Sequence, residues 1–182
     1  TSNERGWFMP ARDGQRLLAS KYAGLDPEAV NPTVERLDDS VLVTYSYVLA
    51  SDPATHCSVE HRVFSDATIE FTVRMTPGAD LPDPPEFGML PTTQPEFSNL
   101  RFYGEGPDEC YVDRRNGARL GVWSGAVSEQ LTPYLRPQEA GSHTGVRWAT
   151  VTDGQGRGLR VEGVDVMEFS ALPWTPSEIE EA

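Results

Sequence analysis

The sequence lacks long apolar runs and clustered cysteines, and these absences exclude several classes of protein. No stretch approaches the ~20 consecutive apolar residues that a membrane-spanning helix requires. The two cysteines, Cys57 and Cys110, show neither CxxC nor cysteine–histidine spacing, so the sequence predicts no disulfide scaffold and no zinc site. Isolated thiols are typical of proteins in a reducing compartment, and we therefore expect a cytoplasmic location.

Basic residues are also scarce. The 15 lysines and arginines against 28 aspartates and glutamates give a formal net charge of −13. Binding to nucleic acid or to an anionic membrane surface requires clustered cationic side chains, so we expect neither as a partner. The hydrophobic share of 38% in a chain of 182 residues is enough to bury the core of one globular domain.

Alternation of apolar and polar residues is frequent and predicts strands. Residues 40–50 place valines, tyrosines and a leucine at every second position. Residues 57–64 and 68–75 alternate in the same way, and the turn residues 65–67 between them predict an antiparallel hairpin. Further strands are predicted at 87–91, 97–103, 118–124, 145–152, 158–163 and 166–171.

Helical patterns are short by comparison. One helix is predicted near residues 24–30, and another begins near Ser177, where a serine cap precedes acidic residues. With 16 glycines and 15 prolines, the chain favours many turns over long helices. The sequence thus predicts an all-β fold, a large antiparallel β-sandwich that forms a single domain over residues 1–182.

The stretch FYGEGPDECYVDRR, residues 102–115, groups polar and aromatic side chains around two glycines. Gly104 and Gly106 are predicted to frame a turn, and no GK[ST] follows them, so this is not a phosphate-binding loop. From the residues alone, the interpretation is a loop held by an Asp113–Arg114 pair.

The stretch TPYLRPQEAGSHTGVRW, residues 132–148, carries side-chain types that proteins use to bind sugars. Glu139 and His143 are able to exchange protons, and the rings of Tyr134 and Trp148 are able to stack on a sugar. Prolines and glycines make the segment a loop, so its spacing does not decide between a catalytic and a structural role. No GxSxG motif is present, and a nucleophilic hydrolase is not indicated.

Together these stretches resemble the C-terminal domain, domain 5, of β-galactosidases of glycoside hydrolase family 2. That family carries patterns like YYGxGPxENYxDR and PYxxPQENGxHTxVRW, then GLxVEG and FSA, in the order found here at 103–114, 133–148, 158–163 and 169–171. The opening TSNERG is similar to the family's xDNDRG. Cys110 and Ala140 stand where the family has asparagine, and Glu4 where it has aspartate, so a polar site at either loop would be altered.

The resemblance implies a truncated supersandwich of the galactose mutarotase-like kind, cut from a longer protein. Members of the family hydrolyse terminal β-D-galactosides with retention, using two glutamates of an α/β barrel. A barrel needs ~250 residues, so we expect no catalytic residue, no metal ligand and no cofactor in this chain, with Mg and Na held by the parent's barrel. The implied partners are the remaining domains of the parent, and a galactoside substrate through them.

The resemblance also assigns roles to residues of this sequence. By position, the candidates for the substrate rim or for sugar binding are Asn3, Glu4, Arg5, Gly6 and Trp7. Motif residues expected to be structural are Tyr103, Gly106, Pro107, Glu109, Tyr111, Asp113, Arg114, Tyr134, Gln138, Glu139, His143, Arg147 and Trp148.

Two other functions remain open at this point. One is a free-standing carbohydrate-binding module, which would expose Tyr134, Trp148, Trp7 or Trp123 on one concave face. The other is an aldose mutarotase-like enzyme with His143 and Glu139 as its acid and base.

Overall fold

The computed structural model describes residues 32–49, 54–76, 87–135, 140–175 and 178–179. The regular secondary structure of its described part is almost entirely β, in two antiparallel four-stranded sheets, which confirms the predicted all-β class. The chain divides into two compact units, residues 3–90 and residues 91–182 with residues 1–2. The single domain over residues 1–182 stays a prediction.

The described residues of the first unit form four strands in sequential order. They are β1 (Thr33–Arg36), β2 (Ser40–Leu49), β3 (Thr55–Phe64) and β4 (Ile69–Thr76). The predicted hairpin is confirmed: β3 and β4 pair antiparallel, and the Phe64 N–H donates to the Thr68 carbonyl at 2.9 Å across the turn. Sequence patterns missed β1, because its four residues are all exposed and carry no apolar alternation.

The second unit contains the remaining strands, ordered β6-β5-β7-β8. They are β5 (Asn99–Gly106), β6 (Arg119–Ala126), β7 (His143–Thr152) and β8 (Gly158–Phe169). A 3₁₀ turn, Val127–Glu129, follows β6. The core on one face of this sheet consists of Leu100, Phe102, Val127, Val146, Ala149 and Val151.

Two of the predicted strand assignments are wrong. Residues 87–91 form no strand, since Phe87, Met89 and Leu90 are exposed and pair with no strand in the described part of the chain. The separate strands predicted at 158–163 and 166–171 are one strand, β8, whose pairing with β7 shifts register between His143 and Trp148. β8 is therefore continuous where the sequence predicted two separate strands, and the irregularity lies in its pairing with β7.

The turn predicted at Gly104 and Gly106 is also wrong, since both residues lie inside β5. A Cβ atom at Gly104 would lie 2.8 Å from Cγ2 of Val146, and one at Gly106 would lie 2.7 Å from the Trp123 ring. Glycine is needed here because neighbouring side chains approach the backbone closely.

The helix predicted at 24–30 and Ser177 itself lie outside the described residues. Glu178 and Ile179 are helical, one residue past the predicted start. The Glu178 carboxylate accepts hydrogen bonds from the Thr175 backbone N–H at 2.7 Å and hydroxyl at 2.9 Å, the pattern of a capping box.

Candidate functional site

The two motif stretches meet at one end of the second sheet. Strands β5 and β7 are antiparallel neighbours, so the loop after β5 and the loop before β7 lie side by side. The Cys110 N–H donates to the Ser142 carbonyl at 2.7 Å and joins the two loops directly. We call residues 107–118 the first loop, and residues 130–135 together with 140–142 the second loop.

Glu109 is the centre of the contacts between these loops. Its Oε1 accepts hydrogen bonds from Arg114 Nη2 at 2.5 Å and from the Tyr134 hydroxyl, while its Oε2 accepts from the Gly141 N–H at 2.8 Å. The Glu109 side chain is only 8% exposed, against 48% for Arg114. One carboxylate thus binds donors from both loops, an arrangement that fixes their spacing.

Arg114 completes this cluster. Its guanidinium carbon lies 4.9 Å from the ring centroid of Tyr111 and 5.5 Å from that of Tyr134. The carboxylate partner of Arg114 is Glu109, so the predicted Asp113–Arg114 pair is wrong. Asp113 itself is exposed.

A second carboxylate, that of Glu105 at the end of β5, is the centre of a second cluster of hydrogen bonds. It accepts two hydrogen bonds from the guanidinium of Arg115, the Nε–Oε2 bond being 2.8 Å, and one from the Thr144 hydroxyl at 2.5 Å. The Cys110 Sγ lies 3.1 Å from Thr144 Oγ1 and 3.7 Å from Glu105 Oε2. Hydrogen bonds from Arg115 and then from Thr144 lower the pKa of Glu105 to about 2.

We expect Glu105 to contribute to acid sensitivity. Its folded-state pKa lies below its usual value, so its ionised form stabilises the fold above the unfolded pKa, and this stabilisation disappears as pH falls toward about 2. A Glu105→Gln variant should therefore lose less stability than the parent chain between about pH 5 and pH 2. The midpoints of urea unfolding across that pH range measure the loss of stability in each variant. Glu162→Gln, which changes an exposed carboxylate, is the control. Parallel pH curves for the parent chain and Glu105→Gln would contradict it.

His143, the first residue of β7, is not accessible to a substrate. It is 1% exposed, its ring lies 4.0 Å from the Phe102 ring between centroids, and its Nε2 lies 3.1 Å from Gln130 Oε1. Burial lowers the pKa of His143, opposed by the backbone carbonyl of Glu105 and the charge of Glu109. This histidine therefore packs against Phe102 in the interior of the second unit.

Trp123 and Trp148 lie on opposite faces of the second sheet. Trp123 pairs with Phe102 across β5 and β6, packs against the core and donates from Nε1 to the Gly104 carbonyl at 3.2 Å. Trp148 pairs with Tyr103 and therefore lies on the opposite face. Its ring is covered by two guanidiniums, with the centroid 5.9 Å from the Arg101 carbon and 4.8 Å from that of Arg160.

Arg147 stays close to its own strand. It donates from Nη1 to the Gly145 carbonyl at 2.5 Å, and its guanidinium carbon lies 5.3 Å from the Tyr103 ring centroid. Pro107 follows Gly106 through a cis peptide bond and opens the first loop.

Several predicted residues lie outside the described part of the chain: Asn3, Glu4, Arg5, Gly6, Trp7, Gln138 and Glu139. Among the residues that the structure describes, no group of three or more His, Cys, Asp or Glu side chains is placed to hold a metal ion. No helix in the described ranges is long and apolar enough to cross a membrane.

Comparison with known proteins decides the family. A family model described as "Beta galactosidase small chain" matches residues 3–182. The chain belongs to this small-chain family. It is 39% identical over 91% of its length to a β-galactosidase of Priestia megaterium, and 38% identical over its whole length to the β-galactosidase BgaC of Bifidobacterium adolescentis.

The match to these enzymes covers only part of each. The chain spans 16% and 17% of the two relatives' lengths. It also spans 65% of a protein named β-galactosidase small subunit from Latilactobacillus sakei, to which it is 28% identical. Small-chain sequences therefore occur both within long enzymes and in a much shorter protein.

The small-chain motifs did not reveal every residue of these clusters. Glu105, Arg115, Gln130 and Thr144 take part in them, and none of the four was a candidate from the sequence. Strand periodicity could have identified Glu105, because it lies between the buried residues Gly104 and Gly106 and therefore faces the other side of the sheet. Cys110 and Ala140, the two positions where the family has asparagine, are 1% and 2% exposed, so both substitutions lie within packed loops.

Proposed function

We propose that the chain is the non-catalytic C-terminal β-sandwich module, domain 5, of a family 2 β-galactosidase. In this proposal the parent enzyme hydrolyses terminal β-D-galactosides in the cytoplasm, and the module packs on its catalytic barrel. Membership of the small-chain family and the names of the relatives support this role. So does the small share of the relatives' length that the chain spans.

The observation that carries the structural role is the bonding of Glu109. Its carboxylate binds a backbone N–H, a tyrosine hydroxyl and a guanidinium of its own two loops, and its side chain is largely buried. A catalytic carboxylate needs room for a substrate atom within hydrogen-bond reach, and these three donors already surround Glu109. The motif therefore shapes and stiffens the loops.

The module meets substrate only with its parent in this proposal. Residues 3–7 border the active site and help to shape its rim. The chain itself holds no cofactor, and Mg and Na belong to the barrel of the parent. The galactoside is bound by the assembled enzyme, and the partners include neither nucleic acid nor membrane.

The packing of the aromatic rings argues against a function of this chain as a free-standing carbohydrate-binding module. Trp123 and Trp148 lie on opposite faces of one sheet, and the Tyr134 hydroxyl is bound to Glu109. Burial of His143 likewise speaks against the mutarotase-like enzyme, because an acid–base group must reach the sugar.

Segment exchange tests the proposed function. The part of the Priestia megaterium β-galactosidase that matches this chain is replaced by the chain, and hydrolysis of a nitrophenyl β-D-galactoside is compared with that of a deletion lacking the segment. We expect the exchanged enzyme to be active, the deletion to be much weaker, and the chain alone to be inactive. Activity of the chain alone, or an exchanged enzyme no better than the deletion, would overturn the proposal.

We also expect the isolated chain not to bind galactose. Amide chemical shifts of ¹⁵N-labelled protein should stay constant up to high millimolar galactose, because Trp123 and Trp148 lie on opposite faces of the second sheet and the Tyr134 hydroxyl is bound to Glu109. Glucose serves as the matched control sugar. Saturable shifts specific to galactose around residues 3–9 or 132–148 would favour the carbohydrate-binding module instead.

A further inference from the structure

The face of the second sheet opposite the core has the composition of an interface. Register places Arg101 and Tyr103 of β5 on this face, beside Val122 of β6 and Trp148 of β7. Leu120 and Val122 are 51% and 50% exposed. We call this the outward face and define it by Arg101, Tyr103, Leu120, Val122, Trp148 and Arg160. Tryptophan, tyrosine and arginine are the side chains that dominate binding energy at protein interfaces.

The outward face also carries charged side chains, in a chain whose net charge is −13. By register, Glu105 and Glu162 lie on it together with Arg101 and Arg160. Arg160 binds Glu162 through its Nε at 2.5 Å. Arg101 is exposed, and its side chain makes no ion pair with any residue that the structure describes. Its guanidinium lies over the half-buried indole of Trp148, which orients the charge and leaves N–H donors for a carboxylate.

We propose that the outward face is a docking surface for an acidic segment of the parent enzyme's catalytic portion, an inference that rests on the proposed function. A carboxylate of that segment binds Arg101, and its apolar side chains cover Leu120 and Val122. Two observations select this occupant. The Arg101 guanidinium, which has no carboxylate partner among the described residues, requires negative charge, and more than four-fifths of the length of the matched relatives lies outside the region shared with this chain.

Association of two separate chains tests this proposal. The probe is the Priestia megaterium β-galactosidase lacking its matched segment, titrated with this chain, and the dissociation constant is measured at low and high salt. Arg101→Glu should weaken binding at least about tenfold and reduce its salt dependence, and Trp148→Ala should weaken it too. Arg119→Glu is the matched control, because it makes the same charge change on the same sheet but on the opposite face.

The possible failures are distinguishable. Binding of the unaltered chain that neither Arg101→Glu nor Trp148→Ala weakens, with unchanged circular dichroism, overturns the docking surface and leaves the proposed function standing. Equal weakening by Arg101→Glu and Arg119→Glu also overturns it, because only the total charge then matters. Failure of the unaltered chain to bind the shortened enzyme overturns both proposals.

Discussion

Replacing Glu109 with alanine is expected to lower the free energy of unfolding by about 3 kcal/mol. The change leaves the Gly141 N–H and the Tyr134 hydroxyl without the acceptor they share, in a region that is mostly buried. Arg114 is 48% exposed and is solvated once its partner is removed, so its charge adds little to the loss. Urea unfolding with an unchanged m-value measures the effect.

Two variants control for this result. Glu162→Ala also removes a carboxylate from an arginine pair, but both side chains are more than half exposed, and the expected loss is under about 1 kcal/mol. Glu109→Gln keeps the side-chain size and an acceptor oxygen, so it should lie between the parent chain and the alanine variant. Equal losses for Glu109→Ala and Glu162→Ala would show that the loops do not depend on this carboxylate.

A larger loss, about 3–5 kcal/mol, is expected for Phe102→Ala. Phe102 is 2% exposed, lies in the core with Val146 and Ala149, and contacts the buried ring of His143. Removing its ring leaves a cavity at the β5–β7 pair that carries both loops. Thermal and urea unfolding both report the change.

The matched control for this substitution is Phe87→Ala. Phe87 is 56% exposed in a segment without regular structure, so its removal should change stability by less than about 0.5 kcal/mol. If both variants unfold at the same urea concentration, the core does not centre on Phe102.

Strand positions were predictable because a half-buried strand alternates its side chains, and β5 shows this alternation of burial clearly. Residues 87–91 show where the apolar pattern alone is not enough to predict a strand. Apolar residues there resemble a strand, but a strand also needs a neighbour to pair with, and pairing is decided by residues distant in sequence. The same limit applies to β8, whose register shift depends on β7.

The site was predictable only as a set of motif residues. The sequence suggested that Arg114 pairs with its neighbour Asp113, whereas the first loop folds so that Arg114 meets Glu109. Glu105 lies 39 residues from its partner Thr144, so only the pairing of β5 with β7 brings them together. Local sequence patterns identified many of the residues of the site, whereas their bonding partners are determined by the tertiary structure.

The position of Cys110 gives this protein a natural probe of loop motion. Its backbone is bonded to Ser142 of the second loop, and its thiol lies beside Thr144 at 1% exposure. An alkylating reagent reaches that sulfur only after the two loops have separated. The rate of alkylation at Cys110, with the less buried Cys57 as internal reference, therefore reports how often the loops open.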